Sequence, residues 1–276
     1  DAAVKAGLNL WDTATAYSNG ESEKILGRLV NDAGREKIIV STKFTPQMAG
    51  MYGDSVVKMC EASLERMNME YFDIYWIHNP VGAPEYTKQL ISLLQSGRVK
   101  SVGVSNHNLA QIKEADEILQ AAGFQVSAVQ NHYSLLNRSS EESGILEHCK
   151  ANDIVFYGYM TLEQGALSGK YDAEHPFPEG SARAKVFNPM LPQIEVITAE
   201  LEKIAKAHGV SAAQIATAYA VGKGVLPILG VTKMYQVEEA VKTADIVLAA
   251  EEVTALEAAA DKSGASSIQF WESRME

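Results

Sequence analysis

A carboxylate, a phenol, an ammonium and an imidazole recur at the carboxyl ends of β-rich runs in this chain. Asp12 and Tyr17 follow the run 8–11, Lys43 follows 38–42, and His78 follows 73–77. Barrel enzymes build their sites from the ends of several different strands, so this placement suits catalysis. The four groups match the needs of proton transfer to an oxygen that gains negative charge. A free phenol has a pKa near ~10, and a neighbouring cation stabilises the phenolate. In this reading Lys43 is that cation, Asp12 holds it charged and oriented, and His78 donates a hydrogen bond to the reacting oxygen. Taken singly, each has a plainer reading: a turn cap, a packing ring, a solvated amine, a turn residue before Asn79-Pro80. Their joint occurrence in order at successive strand ends carries the functional reading.

The elements that would hold them alternate short β-rich runs with helical patterns, which favours a parallel sheet with crossover helices. Strands are expected at 9–11, 38–42, 72–77, 101–104, 128–130, 154–156 and 226–229. Periodicity of 3.6 residues places helices at about 21–33, 54–67, 85–96, 109–122 and 141–151. Further helices are expected near 194–208, 211–222, 235–246 and 251–262, with a tail over 263–276. Several helical patterns stop at glycine, among them Gly34, Gly97 and Gly123. The stretch 171–192 holds Pro176, Pro178, Pro189 and Pro192, four of the eight prolines, and reads as a long functional loop. Residues 1–7 read as a helix end closed by Gly7. Seven strands follow where a (β/α)8 TIM barrel needs eight. The expectation is therefore a single barrel domain over 1–276, with its first strand missing ahead of Asp1.

Bulk properties narrow the function. The chain has 276 residues, 46% hydrophobic and 21% charged, as in ordinary globular proteins. A net charge of −11 argues against a nucleic-acid partner, which requires clustered Lys and Arg. No apolar run reaches the ~18 residues of a membrane span, and no secretory leader opens the chain. The two cysteines, Cys60 and Cys149, fall in amphipathic helical patterns and read as small buried hydrophobes in a reducing, cytoplasmic setting. No His/Cys/Asp cluster has zinc spacing, so no metal is expected. The oligomeric state is not legible.

The run 7–23, with Asp12-Thr13-Ala14 and Tyr17-Ser18-Asn19-Gly20-Glu21, is similar to the most distinctive signature of the aldo-keto reductases. Gly103-Val104-Ser105-Asn106 and Val129-Gln130-Asn131 resemble two further motifs of that family. The segment from Tyr159 to Gly169 resembles a third. The resemblance implies a TIM barrel and an NAD(P)H-dependent reductase that converts an aldehyde or ketone to an alcohol. Asp12, Tyr17, Lys43 and His78 are then the catalytic tetrad, with Tyr17 as general acid. It further implies that Ser105, Asn106 and Gln130 hydrogen-bond the nicotinamide carboxamide and that Tyr159 stacks on the ring. The loop with Leu162 and Gln164 would cover the pyrophosphate. The adenosine end would meet Gly230, Thr232, Lys233, Gln236 and Glu239.

The chain departs from the family pattern at that adenosine end. Gln236 stands where an arginine is usual and Ala240 where an asparagine is usual. Gln lacks the charge and planar fork that suit a phosphate. Lys233, the Thr232 hydroxyl and the amino end of the following helix remain to bind an anion. NADP(H) is thus favoured, with NAD(H) as the alternative. No Gly-x-Gly-x-x-Gly follows a strand, which removes a Rossmann reading. The loop 44–54, with Tyr52, and the tail, with Phe270 and Trp271, are expected to shape the pocket for a small carbonyl substrate. Trp11 and Trp76 read as barrel packing. The rival class is a nucleotide-binding regulatory or redox-sensing subunit, since a fold alone does not set function. The complete tetrad argues for the enzyme.

Overall fold

The computed structural model describes residues 1–51, 55–267 and 275. In chain order the elements are α1 (Ala2–Lys5), β1 (Leu10–Asp12), α2 (Glu21–Ala33), β2 (Ile39–Phe44), α3 (Val56–Met67), β3 (Phe72–Ile77), α4 (Ala83–Gln95), β4 (Val99–Ser105), α5 (Leu109–Gln120) and β5 (Ala128–His132). There follow α6 (Ser139–Glu142), α7 (Ile145–Ala151), β6 (Val155–Tyr159), α8 (Ala182–Phe187), α9 (Leu191–His208), α10 (Ala212–Gly222), β7 (Leu226–Pro227), α11 (Met234–Thr243) and α12 (Ala250–Ser263). Internal contacts group 1–130 with 147–155, and 131–146 with 156–267.

In the first unit, β1 to β4 and the first part of β5 pair in parallel in sequence order, each step crossed by a helix. That is the (β/α) repeat of the TIM-barrel class. Burial on both faces explains the composition of the strands. In β2 every residue after Ile39 is buried, and in β3 every residue except Asp73 is buried. Asp73 accepts from Arg35 at 2.7 Å and from the Val40 N–H at 2.9 Å, which holds the amino ends of neighbouring strands together. Helix starts are written locally. The Asn108 side chain accepts from the Gln111 N–H while Gln111 accepts from the Asn108 N–H, both at 2.9 Å, a reciprocal cap for α5.

Gly103 of β4 faces Trp76 of β3 across the parallel register. A Cβ at Gly103 would lie 2.4 Å from the Trp76 ring, so glycine is the residue that admits the fully buried indole. Trp11 is anchored through its Nε1, which donates to the Leu8 carbonyl at 2.9 Å.

In the second unit β6 and β7 pair in parallel, Tyr157 with Leu226 and Gly158 with Pro227. β7 is shorter than its apolar run suggests, although the Ile228 N–H just beyond it still donates to the Gly158 carbonyl at 2.8 Å. The helix expected over 141–151 is two short ones, α6 and α7, separated at Gly144, whose φ is +79°. The stretch 171–192 is more ordered than its prolines suggest. It contains α8, capped by the Ser181 hydroxyl, which accepts from the Ala184 N–H at 3.1 Å. Tyr171 stacks on Phe177 at 3.8 Å between centroids, and Phe177 and Phe187 are buried. Pro192 sits at the start of α9, where a missing N–H costs nothing. No helix among the described residues is long and apolar enough to cross a membrane.

Candidate active site

The register of the first unit sets Asp12 opposite Ser41, and Lys43 opposite Trp76, two residues before His78 at the end of β3. Asp12, Lys43, Tyr17 and His78 therefore meet at the carboxyl ends of β1, β2 and β3. Lys43 is fully buried and forms an ion pair with Asp12, whose side chain is 6% exposed. Its Nζ also donates to the Thr13 carbonyl at 2.8 Å and lies 5.3 Å from the Tyr17 ring centroid. Asp12 accepts from the Ser41 hydroxyl as well. Burial pulls the Lys43 pKa down, but Asp12 and then Tyr17 outweigh it, so the ammonium is held above its ordinary value.

Tyr17 stands in a 3-10 turn after β1 and is 43% exposed, open to a reactant. Its ring meets that of His78 edge-on, 5.9 Å between centroids. His78 Nδ1 lies 2.9 Å from the Thr45 hydroxyl. Burial, reinforced by the Lys43 charge, pushes the imidazole pKa down to about 3, so His78 is neutral in ordinary buffers.

Other residues expected at this end also sit in the first unit. Ser105 ends β4, Asn106 follows with φ +62°, and Gln130 lies in β5; all three are buried. Asn106 Nδ2 donates to the His78 carbonyl at 2.9 Å, and Gln130 Nε2 reaches Asp12 at 3.5 Å. Nicotinamide-binding candidates thus brace the tetrad directly.

The second unit has a cleft of about 650 Å³ on the carboxyl side of β6 and β7. Leu162, Gln164, Gly230, Thr232, Lys233, Gln236 and Glu239 all line it. Tyr159, the last residue of β6, stacks on His132 with centroids 5.5 Å apart. Part of the anion seat expected at the amino end of α11 is already engaged. The Gln236 carboxamide oxygen accepts from the Thr232 N–H at 2.7 Å and the Lys233 N–H at 2.9 Å. The Thr232 hydroxyl donates to that oxygen too, at 3.4 Å. Positive charge in the cleft comes instead from Lys170, Arg183 and Lys233. Tyr52 and Trp271, the expected substrate contacts, lie outside the described residues.

Sequence reasoning missed several participants. Glu23 is fully buried and accepts from Thr42 at 2.6 Å, Thr15 at 3.2 Å and Arg66 Nε at 2.8 Å. It ties the loop leading to Tyr17 to the strand that carries Lys43. Its place in the signature run was visible, but its partner Arg66 is 43 residues away. Arg183 was hidden in the stretch read as loop, and Lys170 lies just before it. Cys60 and Cys149 are buried and free, and burial pushes both thiols up to about 12. No group of three or more His, Cys, Asp or Glu placed to hold a metal occurs among the described residues.

These features define a parallel-barrel site with a buried Lys–Asp pair beneath an accessible tyrosine, and the chain belongs to the aldo/keto reductase family, which matches residues 1–261. It is accordingly an oxidoreductase. It is 30% identical over 282 residues to "Pyridoxal reductase, chloroplastic" of Arabidopsis thaliana, covering 97% of this chain and 77% of that one. It is also 30% identical over 257 residues to "Aldo-keto reductase yakc [NADP(+)]" of Schizosaccharomyces pombe, covering 86% and 74%. Among solved structures, a glycerol dehydrogenase from Gluconobacter oxydans superposes with a TM-score of 0.82 at 26% identity, covering 98% of this chain and 86% of that one.

Proposed function

We propose that this chain, acting as one reductase domain, reduces a small aldehyde or ketone to an alcohol with NADP(H), Tyr17 serving as general acid. The observation that carries the reading is the fully buried Lys43 ammonium, held by Asp12 and set 5.3 Å from the ring of an exposed tyrosine. A buried charge of this kind costs much to maintain unless it is used or well paired. Its placement lets the ammonium stabilise the phenolate that forms when Tyr17 gives up its proton. The NADP(+) in the name of the fission-yeast relative favours the phosphorylated cofactor.

The residues fit such a cofactor. The cleft of about 650 Å³ brings three cations to one anionic ligand, and Tyr159 offers a flat ring at the end of β6. Lys170, Arg183 and Lys233 would hold the phosphates, and Ser105, Asn106 and Gln130 the carboxamide. When bound, the reduced nicotinamide supplies a hydride to the carbonyl carbon. Tyr17 gives its phenolic proton to the carbonyl oxygen, and Lys43 stabilises the phenolate left behind. His78, neutral, shares a hydrogen bond with the Thr45 hydroxyl at Nδ1; in the tautomer in which Nδ1 accepts, its proton is on Nε2, from which it would donate to the same oxygen. The free, buried cysteines accord with a reducing, cytoplasm-like compartment.

The test is absorbance at 340 nm with NADPH and NADH, run against a panel of aldehydes and ketones beside Tyr17→Phe. Turnover lost in that variant while NADPH still binds supports the reading. A fully active Tyr17→Phe refutes the acid role.

A further inference from the structure

The second unit holds a buried carboxylate that the reaction above does not use. Glu163 is completely buried, at the start of the loop after β6. Its backbone lies at φ +48°, with Met160 at +57° and Gln164 at +53°, a region costly for residues other than glycine. One oxygen, Oε1, collects three donors from separate segments. His132 Nε2 donates to it at 2.7 Å, the Ser267 hydroxyl at 2.8 Å, and the Ser134 hydroxyl also. The other oxygen, Oε2, has no hydrogen-bond partner among the described residues despite its burial. Strained backbone and an unsatisfied buried oxygen both oppose folding, so this arrangement persists for something it holds in place.

What it holds is a ring. His132, the last residue of β5, is 1% exposed, and its imidazole lies 5.5 Å from the Tyr159 ring at 25° between planes. With Nε2 tied to a fixed carboxylate, the imidazole cannot turn about its terminal torsion. One face of Tyr159 is thereby backed by a rigid flat surface.

We propose that Glu163 is a positioning residue for cofactor binding: through His132 it sets the plane of Tyr159 against which the nicotinamide ring packs. This rests on the NADP(H) reading given above. The proposal separates the two ends of the cofactor. The carboxylate acts chiefly on the nicotinamide end, since its partners His132, Ser134 and Ser267 do not line the cleft of the adenosine end, although its chain neighbours Leu162 and Gln164 do.

Isothermal titration of NADP+ and of 2′,5′-ADP, which lacks the nicotinamide, tests it in wild type, Glu163→Gln and Glu163→Ala. Glu163→Gln keeps an acceptor of the same shape and weakens NADP+ about threefold, whereas Glu163→Ala removes the tie and weakens it about tenfold. Binding of 2′,5′-ADP stays within about twofold in both, because that end is untouched. The double variant His132→Phe/Glu163→Leu, which backs Tyr159 with an apolar ring that needs no tie, recovers most of the NADP+ affinity. Equal losses for both ligands, or no loss for NADP+, overturn the positioning role while leaving the cofactor reading intact. A wild-type protein that binds neither ligand overturns the cofactor reading and this proposal with it. If Glu163→Ala fails to fold, the Glu163→Gln pair of titrations decides alone.

Discussion

Replacing Lys43 with methionine isolates the charge on which the proposed chemistry depends. The Tyr17 ring centroid is 5.3 Å from Nζ, and at an effective dielectric of about 20 a unit charge there stabilises a phenolate by about 3 kcal/mol. Tyr17 is 43% exposed, so solvent screening reduces this to about half. Loss of the ammonium should therefore lower kcat for carbonyl reduction by about tenfold, at roughly tenfold per 1.4 kcal/mol. The substitution also strands the Asp12 carboxylate in a site where its side chain is 6% exposed, which should destabilise the fold by about 3 kcal/mol. The two effects separate in a second variant. Asp12→Asn/Lys43→Met removes the stranded charge and should recover part of the lost melting temperature, yet none of the lost kcat. The assay is NADPH oxidation at saturating carbonyl, with thermal melts and NADPH titration on the same samples. A Lys43→Met protein that keeps near wild-type kcat refutes the argument that this ammonium drives proton release. Rescue of kcat in the double variant refutes it equally, because activity would then follow stability alone.

Three further outcomes are expected. Gly103→Ala places a Cβ 2.4 Å from the Trp76 ring and should cost about 1–3 kcal/mol of overpacking, read as a lower urea midpoint with unchanged slope; an unchanged midpoint would show that the indole has room to move. His78 has a folded pKa of about 3 against an ordinary value of 6.5, so the unfolded chain binds a proton in that window and the folded chain does not. Its contribution to stability is present above 6.5 and lost as pH falls towards 3, so the wild type should lose stability more steeply over that window than His78→Gln, and parallel profiles would contradict the shift. Lys233→Ala should raise the Michaelis constant for NADPH several-fold and that for NADH little, because Gln236 already occupies the backbone donors beside it and leaves the phosphate to side-chain cations; equal effects on both cofactors would sink the phosphate role.

The cleft at α11 illustrates how far a sequence reading reaches. That Gln236 replaces the family's arginine is visible in the chain, and the loss of a charged fork follows from residue type alone. That its carboxamide turns back to cap the helix is a matter of backbone geometry, settled only when Thr232, Lys233 and Gln236 share one turn. The stretch 171–192 shows the opposite failing. Proline content suggested loop, but Phe177 and Phe187 bury their rings and order it, a tertiary gain that outweighs local propensity.

Asp12, Tyr17, Lys43 and His78 were legible because each ends or follows a short apolar run, and parallel strands deliver their last residues to the same edge. So were most helices, through their periodicity and glycine stops. Three-dimensional packing alone decided the supports. Glu23 reaches Arg66, Glu163 gathers His132 and Ser267, and Gly103 makes room for Trp76. Those partners are separated by 27 to 104 residues, and their meeting depends on strand register and loop course. A linear pattern records which side chains point to one face; it does not record which distant oxygen a buried donor will find once water has been excluded.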